Sequence, residues 1–294
     1  MAGIILTGTN PSTVAIGHMK IIADTYAEKP LEYTQIFKEK QARQMTETIP
    51  HLGALGTWTT NDEGSPFNED EVVEGDTATY ALTIYDQSYN ITYEAVRWDQ
   101  YDLLNAKAVN MGRGLRNAQE LAAAAIINEG FATTTGYDGS YLFANDHDLA
   151  SSSSSGDNLT TGDLTDTNLK TAITLLKSTV NESNIKIHCK PRVLWCSDGD
   201  EFVAYTLLQS VNAAGELSNN KNTLPKMRVA VMSDVTTGYW GVMDDEIAEL
   251  TFMWFDKPAF GKKEDPYSRN VKVWGYAAFT PGYSDWRGIV GSVG

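Results

Sequence analysis

Gly136-Tyr137-Asp138-Gly139-Ser140-Tyr141-Leu142-Phe143-Ala144-Asn145-Asp146-His147 is the stretch that decides the fold, taken with the helix that runs into it. Two glycines bracket a turn carrying Asp138, an aromatic-Leu-Phe triplet supplies an anchor, and His147 follows. Upstream, residues 97–130 read as one helix. Tyr101, Leu104, Ala108, Met111, Leu115, Ala118, Ala122 and Ala125 recur at 3-4-3-4 spacing and form a single apolar stripe. Arg97, Lys107, Arg113 and Arg116 occupy its other face. At 1.5 Å per residue the helix spans about 50 Å, far beyond the usual globular helix. Gly112 and Gly114 each cost about 1 kcal/mol there relative to Ala, which predicts the close approach of another backbone.

Working back toward the N-terminus, residues 1–12 read as an extended arm broken by Asn10-Pro11-Ser12. Ile16, Met19, Ile22, Ala23 and Tyr26 predict a helix over 14–28, stopped by Pro30. A second helical piece is expected over 32–46. Ordering about fifteen residues of this leader costs on the order of 15–30 kcal/mol of backbone entropy, and a neighbouring subunit is the expected source of the offset. Residues 47–96 read as a two-stranded excursion. Tyr80, Leu82 and Ile84 alternate before a turn at Asp86-Gln87-Ser88, and Ile91, Tyr93 and Ala95 alternate after it. From 44 to 96 the chain carries ten acidic residues and no Lys or Arg. Glu69, Asp70 and Glu71 are the densest cluster, and Leu55, Trp58 and Phe67 are the apolar residues nearby.

Working forward, Ser151 to Ser155 reads as a low-complexity loop tip. Thr165-Asp166 caps a helix over 167–180 with Leu169, Ile173, Leu176 and Val180 on one face. A strand at 192–196, a helix at 199–208, a flexible loop at 212–223 and strands at 227–232, 239–243, 250–255, 271–280 and 286–290 complete an α+β layout without internal repeats.

The 294 residues, 42% hydrophobic and 21% charged, suffice for a packed core. Seven Trp and fourteen Tyr suit large buried contacts within or between chains. A net charge of -15 argues against nucleic-acid binding as the main role, because phosphate neutralisation needs clustered cations. Cys189 and Cys196 lie seven apart on what reads as one extended segment, so their side chains face opposite ways and a bridge is not expected. No apolar run approaches a signal peptide or a membrane span, and folding in a cytoplasm is expected. Asn145-Asp146-His147-Asp148 could offer a metal ligand or a base, but His18, His51, His147 and His188 are scattered. A hydrogen-bonded turn is the expected role of that run, with a metal-dependent hydrolase using Asp146 and His147 as the alternative of a different class. Gly112-Arg113-Gly114 lacks the third glycine and the strand-to-helix turn of a dinucleotide site. Asp62-Glu63 and Glu69-Asp70-Glu71 lack the spacing of a calcium loop. No catalytic residue, cofactor site or metal site is assigned.

The turn 136–147 resembles the segment after the spine helix in major capsid proteins of Mu-like tailed phages, although Asp148 stands where many relatives have Pro. Pro191-Arg192-Val193-Leu194-Trp195 with the helix that follows is similar to that family's axial-domain strand and helix, and Tyr276 through Trp286-Arg287-Gly288 to its closing strands. The element order resembles the tailed-phage major capsid fold over nearly the whole chain. The resemblance implies an N-terminal arm (1–46), an extended loop (47–96), a peripheral domain with the spine helix (97–164 and 250–294) and an axial domain (165–249). It implies hexamers and pentamers closing into an icosahedral shell around double-stranded DNA, a portal, a separate scaffolding protein and a possible decoration protein as partners, and no membrane. An encapsulin-like nanocompartment shell is the alternative within the fold. Family members that crosslink through a loop Lys have no counterpart here, since 44–96 contains none. The expected inter-subunit contact joins Leu55, Trp58, Phe67, Glu69, Asp70 and Glu71 to Arg97, Lys107, Arg113 and Arg116 of a neighbour.

Overall fold

The computed structural model describes residues 11–52, 57–69, 74–98, 103–134, 136–149, 152–210, 221–265, 267–268 and 270–294. In chain order the elements are α1 (Pro11–Tyr26), β1 (Lys38–Gln41), β2 (Thr46–Leu52), β3 (Glu74–Ala81), β4 (Ile84–Ile91), α2 (Tyr93–Trp98), α3 (Leu103–Glu129), β5 (His147–Leu149), β6 (Ser152–Gly156) and β7 (Leu159–Thr161). They continue with α4 (Asp166–Ser178), β8 (Val193–Ser197), α5 (Glu201–Gln209), β9 (Arg228–Met232), β10 (Tyr239–Met243), β11 (Leu250–Glu264), β12 (Val271–Tyr283) and β13 (Ile289–Val293).

Two sheets organise the chain. In the first, β1-β11-β12-β4, the long antiparallel pair β11–β12 is the centre, β1 runs parallel to β11 and β4 antiparallel to β12. Helices α1 and α3 pack against this sheet and each other, burying Ala15, Ile22, Ala108, Met111, Val271 and Val273. The second sheet is β7-β13-β10-β8-β9. Its strand β8 is buried along its whole length and separates two cores. Val193 and Trp195 face the larger one, with Phe143, Trp286 and Phe279, while Leu194 and Cys196 face α4 and α5 with Leu169, Leu176 and Ala204. A strand covered on both faces is uniformly apolar, as Val193-Leu194-Trp195-Cys196 is.

Helix α3 has 27 residues, about 40 Å, and α2 precedes it; residues 99–102, where the sequence predicts continuity, lie outside the described residues. The expected stripe holds at Leu104, Ala108 and Met111 and then shifts to Gln119, Ala123 and Ile127. A 3-4-3-4 pattern has a period of 3.5, and a straight helix of period 3.6 drifts by about 20° per heptad, so its buried face advances by a residue. Gly112 is buried, and a Cβ there would sit 2.8 Å from the Ile22 carbonyl oxygen. The expected backbone approach is therefore real at Gly112. At exposed Gly114 the nearest atom is the Gln87 side chain at 3.6 Å, so the expectation fails there.

Other expectations are corrected. Residues 32–46 form a 3-10 turn at Glu32–Gln35 followed by β1, because Tyr33, Ile36 and Phe37 enter the main core and the edge of β11 is free to pair. The arm at 1–10 lies outside the described residues, and the rest of the leader is held by its own chain: α1 lies on α3, and Arg116 binds the carbonyls of Tyr26, Lys29 and Pro30. Asp86-Gln87-Ser88 is no turn. It lies within β4, an edge strand tolerant of polar residues, and β3 pairs with β2. Tyr93 and Ala95 belong to α2, which Thr92 caps through its Oγ1 to the Ala95 N–H at 3.1 Å. Ser152–Gly156 is a strand paired with β5. Cys189 and Cys196 are free thiols, as expected, but both face the α4–α5 core. Cys189 lies outside β8, which begins at Val193, so strand alternation does not reach back to it, and the backbone just before it, at His188, takes φ 62°.

Candidate assembly surface

The turn 136–147 is a rigid corner. Gly139 takes φ 79°, a backbone region that favours glycine, and this brings the Asp138 carboxylate back onto His147. The His147 ring is fully buried. Its Nδ1 lies 2.6 Å from Asp138 Oδ2 and its Nε2 3.2 Å from Asn158 Oδ1. The ring stacks on Trp286 with centroids 4.2 Å apart and planes within 6°. The Arg287 guanidinium sits over the same indole at 4.6 Å and binds Glu182 at 2.8 Å and Asp285 at 3.1 Å. Gly156 makes room for Trp286, whose ring would stand 2.2 Å from a Cβ there. Both imidazole nitrogens are used inside the protein, so this is the hydrogen-bonded turn the sequence predicts. Among the described residues no group of three or more His, Cys, Asp or Glu could hold a metal ion.

The surface with an unused binding capacity is elsewhere. Residues 57–69 between β2 and β3 are exposed throughout, with Trp58 96% and Phe67 94% accessible. The segment braces itself: Asn61 Nδ2 donates to the Pro66 carbonyl at 2.7 Å, Asn68 Nδ2 donates to Thr59 Oγ1 at 2.6 Å, and the Ser65 N–H donates to the Asp62 carbonyl at 3.1 Å. Gly64 turns the chain at φ 85°. The result is a pre-shaped projection with Asp62 and Glu63 at its bend and an aromatic on each flank. Glu69 is also exposed, while Leu55, Asp70 and Glu71 lie outside the described residues.

The expected cationic partners are spread out. Arg97 is exposed, 5.8 Å from the Trp98 ring. Lys107 and Arg113 are exposed on α3 without an ion pair to another described residue. Arg116 is half-buried and committed to the leader's carbonyls. Alongside it, Glu120 accepts the N–H groups of Glu32 at 2.6 Å and Tyr33 at 3.0 Å, and burial raises its pKa against those two hydrogen bonds. A groove of about 370 Å³ opens between α3 and β4, lined by Ile84, Tyr85, Met111, Leu115 and Phe260 among others. Sequence reading missed two features. Phe202 on α5 is 79% exposed and Tyr267 at the β11–β12 turn is 96% exposed. Nothing in local sequence separates such residues from core aromatics.

No curated protein matches this sequence significantly. Among solved structures, the fold is similar to the mature capsid of bacteriophage PhiM1 (TM-score 0.61, 10% identity, covering 90% of this chain and 87% of that one). It is also similar to the capsid of the cyanophage P-SCSP1u (0.60, 11%, 100% and 91%) and to the virus-like particle from Pyrococcus furiosus (0.53, 10%, 93% and 96%). At these identities the likeness is one of fold, a mixed helix-and-sheet capsid architecture. The sequence profile described as Phage capsid protein matches residues 75–292, from β3 to the last strand, and on that match the chain belongs to the phage capsid protein family.

Proposed function

We propose that this protein is the major shell subunit of a phage head, assembling as hexamers and pentamers into an icosahedral container for double-stranded DNA. The observation that carries this reading is the projection 57–69, which holds Trp58 and Phe67 in water at full exposure. Leaving two large aromatics solvated forfeits about 1.5–3 kcal/mol each relative to burial, so a partner surface that covers them is favoured. A second copy is the natural partner for a protein of this family. In this reading the projection, with Leu55, Asp70 and Glu71, reaches onto an adjacent subunit toward basic groups there, Arg97, Lys107 and Arg113 among the candidates. Arg116 is the weakest of these, because its guanidinium already serves three carbonyls of its own chain. Exposed ion pairs contribute about 0–1 kcal/mol each, so charge sets docking register while the aromatics supply most of the affinity.

The subunit acts structurally, without catalysis. Residues 165–249 are assigned to the axial domain and the 212–223 loop, of which 212–220 lie outside the described residues, to its tip, and β7 and β13 extend that domain's sheet from the peripheral spans. The likeness to Mu-like heads rests on the 136–147 turn. A separate scaffolding protein, a portal and a decoration protein are the further partners, and assembly takes place in the host cytoplasm. Sedimentation velocity of the purified chain tests the core of this reading. Capsomers or larger particles are expected, and a monomer at every accessible concentration would overturn it.

A further inference from the structure

The far end of the β11–β12 hairpin carries a charge arrangement that its own chain leaves unbalanced. Lys263 and Lys272 are directly opposite each other in the antiparallel ladder, and Asn90 of β4 is next in the same row. Both lysines are exposed, and like charges directly opposite on a sheet face destabilise it. The nearby acids are committed elsewhere. Glu264 points to the other face, pairing with Lys262 at 3.2 Å and accepting from Ser12. Asp265 closes the tip turn by accepting from the Tyr267 N–H at 3.0 Å and from Ser268. Neither lysine has an ion pair to another described residue. They border a depression of about 290 Å³ with Asn90, Glu264, Asp265, Ser268 and Asn270. One row along the same face, Trp274 lies over Gly261, where a Cβ would meet its ring at 2.3 Å, and remains 38% exposed.

We infer that Lys263 and Lys272 of one copy receive the Asp62–Glu63 bend of a second copy, with Trp274 packing against an aromatic that flanks the bend. This rests on the reading of residues 57–69 as the inter-subunit projection and names its seat. Two adjacent carboxylates on a pre-shaped bend, with no Lys or Arg between 44 and 96, match two adjacent ammonium groups whose neighbouring acids, Glu264 and Asp265, are bonded to Lys262, Ser12, Tyr267 and Ser268. The aromatics lie beside the charges on both sides. Bringing the surfaces together relieves repulsion on each, so the complementarity fixes register. The α3 cations offer no comparable free pair: Lys107 and Arg113 are six residues apart, about 9 Å along the helix and on different sides of it, and Arg116, three residues from Arg113, is bonded to carbonyls of its own chain. A phosphate backbone is the rival ligand for two lysines beside an indole, but the chain's net charge of -15 and its own unmatched acidic bend favour the protein partner.

The test is a charge-exchange cycle read by light scattering and electron microscopy of assembly. Lys263→Gln with Lys272→Gln, which removes the like-charge pair and should melt no lower than the parent, is read beside Lys263→Glu with Lys272→Glu, which sets two more acids beside Glu264 and Asp265. Assembly should need at least a tenfold higher concentration. Asp62→Lys with Glu63→Lys should do the same, and the quadruple variant should recover assembly. Parental assembly by the Lys263/Lys272 variant, or a quadruple variant no better than either double, would overturn the assignment. Trp58→Ala with Phe67→Ala separates the two levels. If that variant fails to assemble while Lys263→Glu/Lys272→Glu assembles normally, only the seat is wrong. If it assembles normally, the projection reading falls as well.

Discussion

Replacing each of the two α3 glycines by alanine should stabilise the subunit at one site and fail to stabilise it at the other. Both gain helix propensity of about 1 kcal/mol. At Gly114 the new methyl meets only the Gln87 side chain at 3.6 Å, an ordinary contact, so Gly114→Ala should stabilise by about 1 kcal/mol. At Gly112 the methyl would stand 2.8 Å from the Ile22 carbonyl oxygen and 3.1 Å from Thr25 Cβ. The first of these is about 0.6 Å short of ordinary contact, and relief requires α1 to move off α3. Overpacking of this kind costs about 1–3 kcal/mol, which cancels or outweighs the gain. The two variants should therefore differ by about 1–3 kcal/mol, or a few degrees in melting temperature for a chain of this size. Urea unfolding of the unassembled subunit, followed by tryptophan fluorescence with the m-value held constant, measures the gap. Equal stabilisation by both substitutions would refute the seating of α1 on α3 at Ile22.

His147→Ala removes the partner of the buried Asp138 carboxylate and the stack on Trp286. It should destabilise by about 3–5 kcal/mol, and a loss under 1 kcal/mol in equilibrium unfolding would contradict the corner described above. Thr165 accepts from the Asn168 N–H at 3.2 Å as the N-cap of α4. Thr165→Ala should lose about 1 kcal/mol and Thr165→Ser almost none, a difference that thermal melts resolve. Burial pushes the Cys189 thiol up to about 11 and Cys196 up to about 12 from 9.0, and the Tyr80 and Tyr89 hydroxyls up to about 12 from 10.0. The unfolded chain releases these protons first. Stability should be complete below about pH 9 and fall above it, by as much as about 1.4 kcal/mol per pH unit for each proton difference; unfolding free energies that stay flat from pH 8 to 10.5 would disprove it.

Local signals carried much of this architecture. The Thr165 cap, the stripe Leu169-Ile173-Leu176 and the apolar run 193–196 each report a local preference that tertiary packing reinforces, and they fall where the sequence predicts. At the level of a phage capsid protein, the resemblance drawn from the element order agrees with the family match and with the capsid fold. The misses share a cause: they are decided by which strand a segment meets. Asp86-Gln87-Ser88 has turn composition, yet β12 recruits it as an edge strand. Lys38 to Gln41 has helical composition, yet the edge of β11 captures it. The serine-rich segment Ser152–Gly156 is ordered by β5. The ordering of the leader was expected to come from a neighbour, yet Tyr33, Ile36 and Phe37 find their partners in Phe252 and the rest of a core assembled from distant segments of the same chain. At the candidate surface, acidity over 44–96 was legible, whereas the Lys263–Lys272 pair exists only through the β11–β12 register. Spacing in sequence cannot reveal that pair.

Imaging of the purified, concentrated protein by negative-stain electron microscopy tests the central claim most directly. Closed shells with icosahedral symmetry, built from five- and six-fold capsomers whose subunit contacts bury about 2,000–5,000 Å² in total, are the expected result. Uniform single subunits, or contacts well below about 1,000 Å² in a reconstruction of whatever particles form, would contradict it.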